Sequence, residues 1–114
     1  MSPEKKRNAY VMTGYTDMRK QINGLSKLAQ DFDSEGSFSG SYYLFMGKTR
    51  RVMKIVYWDE SGFCLWQKRL EVEKFPWPRD GEGLAPIARE NLLLILRGID
   101  IWKAHKTLRY TRVA

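Results

Sequence analysis

The sequence predicts an α+β domain: an antiparallel β-meander of about four to five strands, an N-terminal helix packed on it, and a short leucine-rich C-terminal helix. Three observations carry this. Residues 54–70 read as two aromatic-rich strands joined by the polar turn Asp59-Glu60-Ser61-Gly62. Ahead of them, Met18, Ile22, Leu25, Leu28 and Phe32 recur at spacings of four, three, three and four, one face of a helix. Behind them, Leu92, Leu93, Leu94, Ile95 and Leu96 form the longest apolar run.

Taken in order, Tyr10, Val11 and Met12 are a short β-prone run ended by Gly14. Thr16 and Asp17 signal a helix start, so the first helix is expected from about Asp17 to about Asp31. Gly24 weakens it by on the order of 1 kcal/mol relative to alanine. Residues 34–40 are a loop by composition, 41–46 an aromatic strand, and 47–50 a turn. Strands follow at 52–58 and 63–70. Pro76 and Pro78 remove ladder donors, so residues 75–78 are expected as an extended segment laid across the domain. After the turn at 80–83, residues 84–87 form a strand that Pro86 confines to an edge. The leucine-rich helix spans 89–97, and Gly98 suits its C-terminal stop. The expected organisation is a flexible tail over 1–9, one domain over 10–102, and a basic segment over 103–114.

A chain of 114 residues favours one domain that buries roughly two thirds of its unfolded surface. A single cysteine, Cys64, excludes an internal disulfide and suits a reducing cytoplasm. The apolar run 92–96 is too short to span a bilayer, and the charged N-terminus lacks the apolar region of a secretory signal. The expected location is therefore the cytoplasm, with no membrane partner. The net charge of +7, from 20 Lys and Arg against 13 Asp and Glu, points to a polyanionic partner.

Pairing the central hairpin about residues 59–62 makes partner numbers sum to 121: Trp58 faces Phe63, Tyr57 faces Cys64, Val56 faces Leu65, Lys54 faces Gln67, Met53 faces Lys68 and Val52 faces Arg69. In that register Lys48, Arg50 and Arg51 of the preceding turn converge with Lys54, Lys68 and Arg69, while Asp59 and Glu60 sit roughly 20 Å away. The expected DNA-binding set is these six cations with Arg19 and Lys20 from the first helix. The plainer reading is that such cations solvate strand ends and blunt an edge. Tyr42, Tyr43, Phe45, Tyr57, Trp58, Phe63 and Trp66 offer stacking platforms for unpaired bases. Strand aromatics are more often core, which leaves Trp77 and Trp102 as the better exposed candidates.

The residues of catalysis are sparse. Cys64 and His105 are the chain's one cysteine and one histidine and cannot build the usual zinc site. A phosphate loop followed by Lys and Ser or Thr is absent. Asp17, Asp59, Glu60 and Asp100 remain as carboxylates for a divalent cation, but the first three read as turn or helix-start residues. The expectation is a non-catalytic protein with no metal and no cofactor.

Several segments resemble a known family. Thr16-Asp17-Met18-Arg19-Lys20 with Asn23-Gly24-Leu25 resembles its opening motif. Lys54-Ile55-Val56-Tyr57-Trp58-Asp59 through Gly62-Phe63 resembles its centre. Lys68-Arg69-Leu70-Glu71, Phe75 with Trp77-Pro78, and Leu96-Arg97-Gly98-Ile99-Asp100 resemble its end. The family is the TnpB accessory protein of insertion-sequence-66-type bacterial transposons, distinct from the RNA-guided nuclease of the same name. The resemblance runs from about residue 10 to about 110, with the motifs in the same order. Ala88 stands where the family often carries Ser or Thr to cap the last helix, and residues 1–8 are this chain's own. The resemblance implies a bacterial protein encoded beside a larger transposase, supporting transposition without a catalytic triad of its own. It assigns no catalytic or binding residue.

Three readings stand at this level. The first is a basic accessory factor that binds the DNA of the element's ends. The second is an adaptor that docks on the transposase through residues 75–78 and the leucine-rich helix. The third is a metal-dependent nuclease, for which Asp59 would be the first residue to test.

Overall fold

The computed structural model describes residues 7–33, 40–78, 81 and 83–98. Seven elements follow in chain order: β1 (Ala9–Met12), α1 (Ile22–Phe32), β2 (Tyr42–Met46), β3 (Val52–Asp59), β4 (Gly62–Arg69), β5 (Leu84–Ile87) and α2 (Arg89–Leu96). Residues 1–6, 34–39, Arg79, Asp80 and Glu82, and everything from Ile99 onward, including Trp102, His105 and the basic segment 103–114, lie outside the described residues.

The strands form one mixed sheet in the order β4-β3-β2-β1-β5. Strands β2, β3 and β4 are the expected antiparallel meander. The all-antiparallel expectation fails at β1, which runs parallel to β2, with Ala9 beside Tyr42 and Val11 beside Leu44. The cause is α1, which lies between them in sequence and carries the chain back to the end where β1 began. Strand β5 then pairs antiparallel on the outer side of β1, with Pro86 opposite Tyr10, so the proline falls on an edge as expected.

Alternation along the strands gives the sheet two apolar faces. Tyr43, Phe45, Val56 and Met12 pack with Leu25 and Ala29 of α1. Leu44, Met46, Met53 and Ile55 pack on the other side with Phe75, Trp77, and Leu92 and Ile95 of α2. The segment around Phe75 is thus laid across the sheet, and its residues Phe75, Pro76 and Trp77 are buried. The Trp77 indole N–H donates to the carbonyls of Met12 (3.0 Å) and Gly14 (2.9 Å), fastening the end of β1. Trp77 is therefore a core residue and not an exposed contact.

Helix α1 starts five residues later than its apolar spacing suggested. Asp17 accepts from the Arg19 backbone N–H (2.9 Å), and the Lys20 N–H donates to the Asp17 carbonyl (3.1 Å). This local turn competes with the helix, as short acidic side chains do. Met18 precedes the helix, and Ile22 and Phe32 lie at the exposed margins of its stripe. At the end of α2, Gly98 has φ +82° and its N–H donates to the Ile95 carbonyl at 2.8 Å, the expected stop. Ala88 offers no side-chain cap at the start.

Candidate nucleic-acid interface

The hairpin of β3 and β4 has the register expected from sequence, from Val52 opposite Arg69 to Asp59 opposite Gly62. Its tip is a two-residue turn in which Glu60 takes φ +58°. The β2–β3 turn stands at the other end. Here the Arg50 N–H donates to the Gly47 carbonyl (2.9 Å) and Arg50 takes φ +59°. The chain after β4 wraps this turn, with the Leu70 N–H on the Arg51 carbonyl and the Phe75 N–H on the Arg50 carbonyl, both at 2.7 Å.

Arg19 and Lys20 reach the same end by a different route. The Thr16 N–H donates to the Met46 carbonyl at 2.7 Å, which lays residues 16–20 beside the β2–β3 turn. Met18 packs so closely on Gly47 that a Cβ there would fall 2.5 Å from the Met18 Cγ. The expected cations therefore converge through tertiary packing and not through the first helix itself.

They are not equivalent. Lys48 and Lys20 are exposed, and Arg50 and Arg51 are half-exposed. The Arg51 Nη1 donates to the Glu71 carbonyl at 2.8 Å. Arg69 is exposed and lies 3.9 Å from the Glu71 carboxylate, a loose surface pair of little weight. The Arg19 side chain is 91 % exposed and holds Asp17 through its Nε and Nη2, the latter at 2.7 Å. That guanidinium, together with the Arg19 backbone N–H, holds the Asp17 carboxyl down at about 2. Asp17 in turn pushes the Arg19 guanidinium upward.

Two members of the set do not face solvent as free cations. Lys54 is buried on the α1 side of β3, 2 % exposed, and its Nζ donates to the carbonyls of Met18 (2.8 Å) and Lys20 (2.9 Å). Lys68 points to the opposite face, and its Nζ donates to the Leu96 carbonyl at 2.9 Å, at the C-terminus of α2. Strand alternation gives this a simple cause. Lys54 sits on the central strand β3 and Lys68, half-buried, on the outer strand β4, and each packs its stem on one face of the sheet and brings its head to a backbone acceptor. Lys74, exposed beside the wrapped turn, joins the basic end although the hairpin register gave no sign of it.

Arg7, which the sequence placed in the tail, is the other residue missed. Its Nη1 donates to the carbonyls of Gly40 and Trp58, both at 2.8 Å, and its Nη2 to the Asp59 Oδ1 at 3.0 Å. The guanidinium carbon lies 5.5 Å from the Tyr42 ring centre and 5.2 Å from that of Tyr57. Arg7 thus offsets the negative charge at the hairpin tip, while Glu60 stays exposed. A cleft of about 400 Å³ at this end is lined by Arg7, Asn8, Ile87, Ala88, Arg89 and Glu90.

The strand aromatics separate from the basic end. Tyr42, Tyr43 and Phe45 are buried. The half-exposed pair Trp58 and Phe63 meets edge to face, 5.1 Å between centres, at the tip carrying Asp59 and Glu60. Burial, and the Asp33 carboxylate that accepts from its hydroxyl at 2.9 Å, push the Tyr43 phenol upward. Burial and then the neighbouring Cys64 do the same to Tyr57. Asp17 and Asp59 stand at opposite ends of the sheet, and among the described residues no three of His, Cys, Asp and Glu gather to hold a metal ion. No helix among the described residues is long and apolar enough to cross a membrane.

Comparison with known proteins agrees with the resemblance read from the motifs. The family model described as "IS66 Orf2 like protein" matches residues 7–106. The uncharacterized protein y4hO of Sinorhizobium fredii (strain NBRC 101917 / NGR234) is 32 % identical over 104 residues, covering 91 % of this chain and 90 % of that protein. The uncharacterized protein y4jC of the same strain is 30 % identical over 117 residues, covering 100 % and 99 %. No solved structure matches. With the family match spanning most of its length, the chain belongs to the IS66 Orf2-like family of insertion-sequence proteins.

Proposed function

We propose that this chain is a non-catalytic accessory protein of an IS66-type element, acting in the bacterial cytoplasm, that binds DNA through the basic end of its sheet. One observation carries the reading: two segments distant in sequence, residues 16–20 and the β2–β3 turn, are fastened together so that Arg19, Lys20, Lys48, Arg50 and Arg51 share one end of the sheet. Arg69 and Lys74 flank them. The rigid hairpin holds this end apart from the tip that carries Asp59 and Glu60. The partner is duplex DNA of the element's ends. The half-exposed aromatics Trp58 and Phe63, at the acidic tip, argue against stacking of single strands at the patch.

The adaptor reading retains less surface than its sequence suggested. Phe75 and Trp77 are core, and on the leucine-rich helix Leu93 is the leucine that stays exposed. Docking on the transposase would have to use that outer face of α2.

The test is fluorescence anisotropy of the full chain with labelled duplex from the element's ends, titrated across salt. Four to five phosphate contacts predict a slope of log affinity against log salt of about −4. Reversing Lys48, Arg50 and Arg51 to Glu together is expected to lower affinity at least ~tenfold at low salt. A flat salt response, or binding untouched by the triple reversal, rejects the patch. Binding to the transposase that survives nuclease treatment, with no DNA affinity, would favour the adaptor.

A further inference from the structure

Strand β4 is the outer strand on the side of the sheet away from β5. Its turn has two residues, so Asp59 and Gly62 close the hairpin as a hydrogen-bonded pair. Alternation then assigns the next hydrogen-bonded pairs to Tyr57–Cys64, Ile55–Trp66 and Met53–Lys68. The backbone N–H and C=O of Leu65, Gln67 and Arg69 consequently point away from β3. Among the described residues no strand or loop backbone hydrogen-bonds to them there. The apolar side chains Leu65 and Trp66 are only half-buried, since the strand has a neighbour on one side.

Among the described residues no strand pairs with the outer side of this eight-residue strand, and such an edge is a template for another strand that proteins usually blunt with charge. Here the charge has a direction. Lys68 and Arg69 stand at one end of β4, and Glu60 stands exposed at the other. A strand laid parallel to β4 with the same sequence would set like charges together. One laid antiparallel brings Arg69 of each copy to the Glu60 end of the other. With Leu65 on the dyad, all outward-facing positions meet outward-facing positions: Leu65 faces its own copy, Phe63 faces Gln67, and Arg69 faces Ser61, next to Glu60.

We propose that the β4 edge pairs antiparallel with the β4 edge of a second copy of this chain, joining the two five-stranded sheets into one continuous sheet. The dyad then carries the two basic ends to opposite ends of the shared pair of strands. The dimer is selected by backbone hydrogen bonds at Leu65 and Gln67 and by the Arg69–Glu60 complement at each end.

Sedimentation equilibrium of the full chain without DNA tests this, so the result stands apart from the DNA reading. The expected mass moves from 13.4 kDa towards twice that value as concentration rises. Gln67→Pro removes an N–H that the hairpin itself does not use, and edge strands tolerate such a proline. It is expected to weaken the dimer at least ~tenfold while the circular dichroism spectrum stays unchanged. Arg69→Glu and Glu60→Arg, both at exposed positions, are each expected to weaken it, and the double variant to restore it. That cycle decides the matter should the proline variant fail to fold. A chain that stays monomeric at all concentrations overturns the proposal, and protection of the Leu65 and Gln67 amides from exchange in that monomer would mean that another segment of the chain takes the edge. A dimer indifferent to Gln67→Pro and to the charge swaps overturns it too.

Discussion

The Lys54 ammonium donates to the Met18 carbonyl across 2.8 Å, from a side chain rooted in the middle of β3. A second bond of 2.9 Å goes to the Lys20 carbonyl. One buried cation therefore ties the 16–20 loop to the sheet and sets where Arg19 and Lys20 stand. Lys54→Met keeps the stem and removes the donor. It leaves two carbonyls short of a charged partner, so unfolding in urea is expected to show a loss of about 2–3 kcal/mol. DNA affinity at a temperature where the variant is folded should fall through the loosened loop and be insensitive to a further Lys20→Ala change. A variant that keeps its stability and loses one full phosphate contact would show that Lys54 faces DNA after all.

Arg7 makes a comparable link at the other end. Its side chain is 9 % exposed, lies against Tyr42 and Tyr57, and joins the Gly40 and Trp58 carbonyls and Asp59. Arg7→Met removes three hydrogen bonds, one of them to Asp59. A loss of about 2–3 kcal/mol in chemical unfolding is expected, since the Gly40 and Trp58 carbonyls lose a charged donor from a largely buried guanidinium. Asp59→Asn should cost less, about 1 kcal/mol, since both carbonyl bonds remain. Because Arg7 is far from the basic end, neither change should alter the salt slope of DNA binding.

The hairpin was legible because its information is local. The period-two alternation of residues 52–58 and 63–69 and the polar turn between them fix the register without help from the rest of the chain. The direction of β1 was legible in principle, since a helix between two strands is the usual parallel crossover, but two β-prone runs say nothing by themselves about how they pair. The depth of Lys54 and Lys68 was hidden for another reason. A cation in a strand reads as surface until the tertiary carbonyl that receives it is known, and the Met18 and Leu96 carbonyls lie 36 and 28 residues away. Arg7 had no sequence signal at all, since its partners Gly40 and Trp58 are 33 and 51 residues distant.

Lys68 offers a way to separate support from contact within the expected set. Its ammonium meets the Leu96 carbonyl where the dipole of α2 is negative. Lys68→Met should lower stability by about 1 kcal/mol in thermal or urea unfolding. Its effect on DNA affinity should be smaller than that of Lys48→Met, since Lys48 is exposed at the turn. Equal losses of affinity from the two variants would return Lys68 to the interface.

Asp17 and Arg19 supply a titration. The Arg19 guanidinium and backbone N–H hold the Asp17 carboxyl at about 2, below its ordinary 3.8. A carboxylate depressed in the folded state stabilises that state above its ordinary value, and the contribution fades as pH falls from about 4 through 2. Carboxyl shifts followed by NMR should give a midpoint near 2 for Asp17, returning towards 3.8 in Arg19→Ala. At neutral pH the same carboxylate offsets a guanidinium that is 91 % exposed at the basic end. Asp17→Asn should therefore release Arg19 to a phosphate, strengthen DNA binding several-fold at low salt and steepen the salt slope by up to about 1. Arg19→Ala should weaken the wild-type chain little and the Asp17→Asn chain much more. An Asp17→Asn chain with unchanged affinity and slope would place Arg19 outside the DNA-facing surface and leave Lys20, Lys48, Arg50 and Arg51 to carry it.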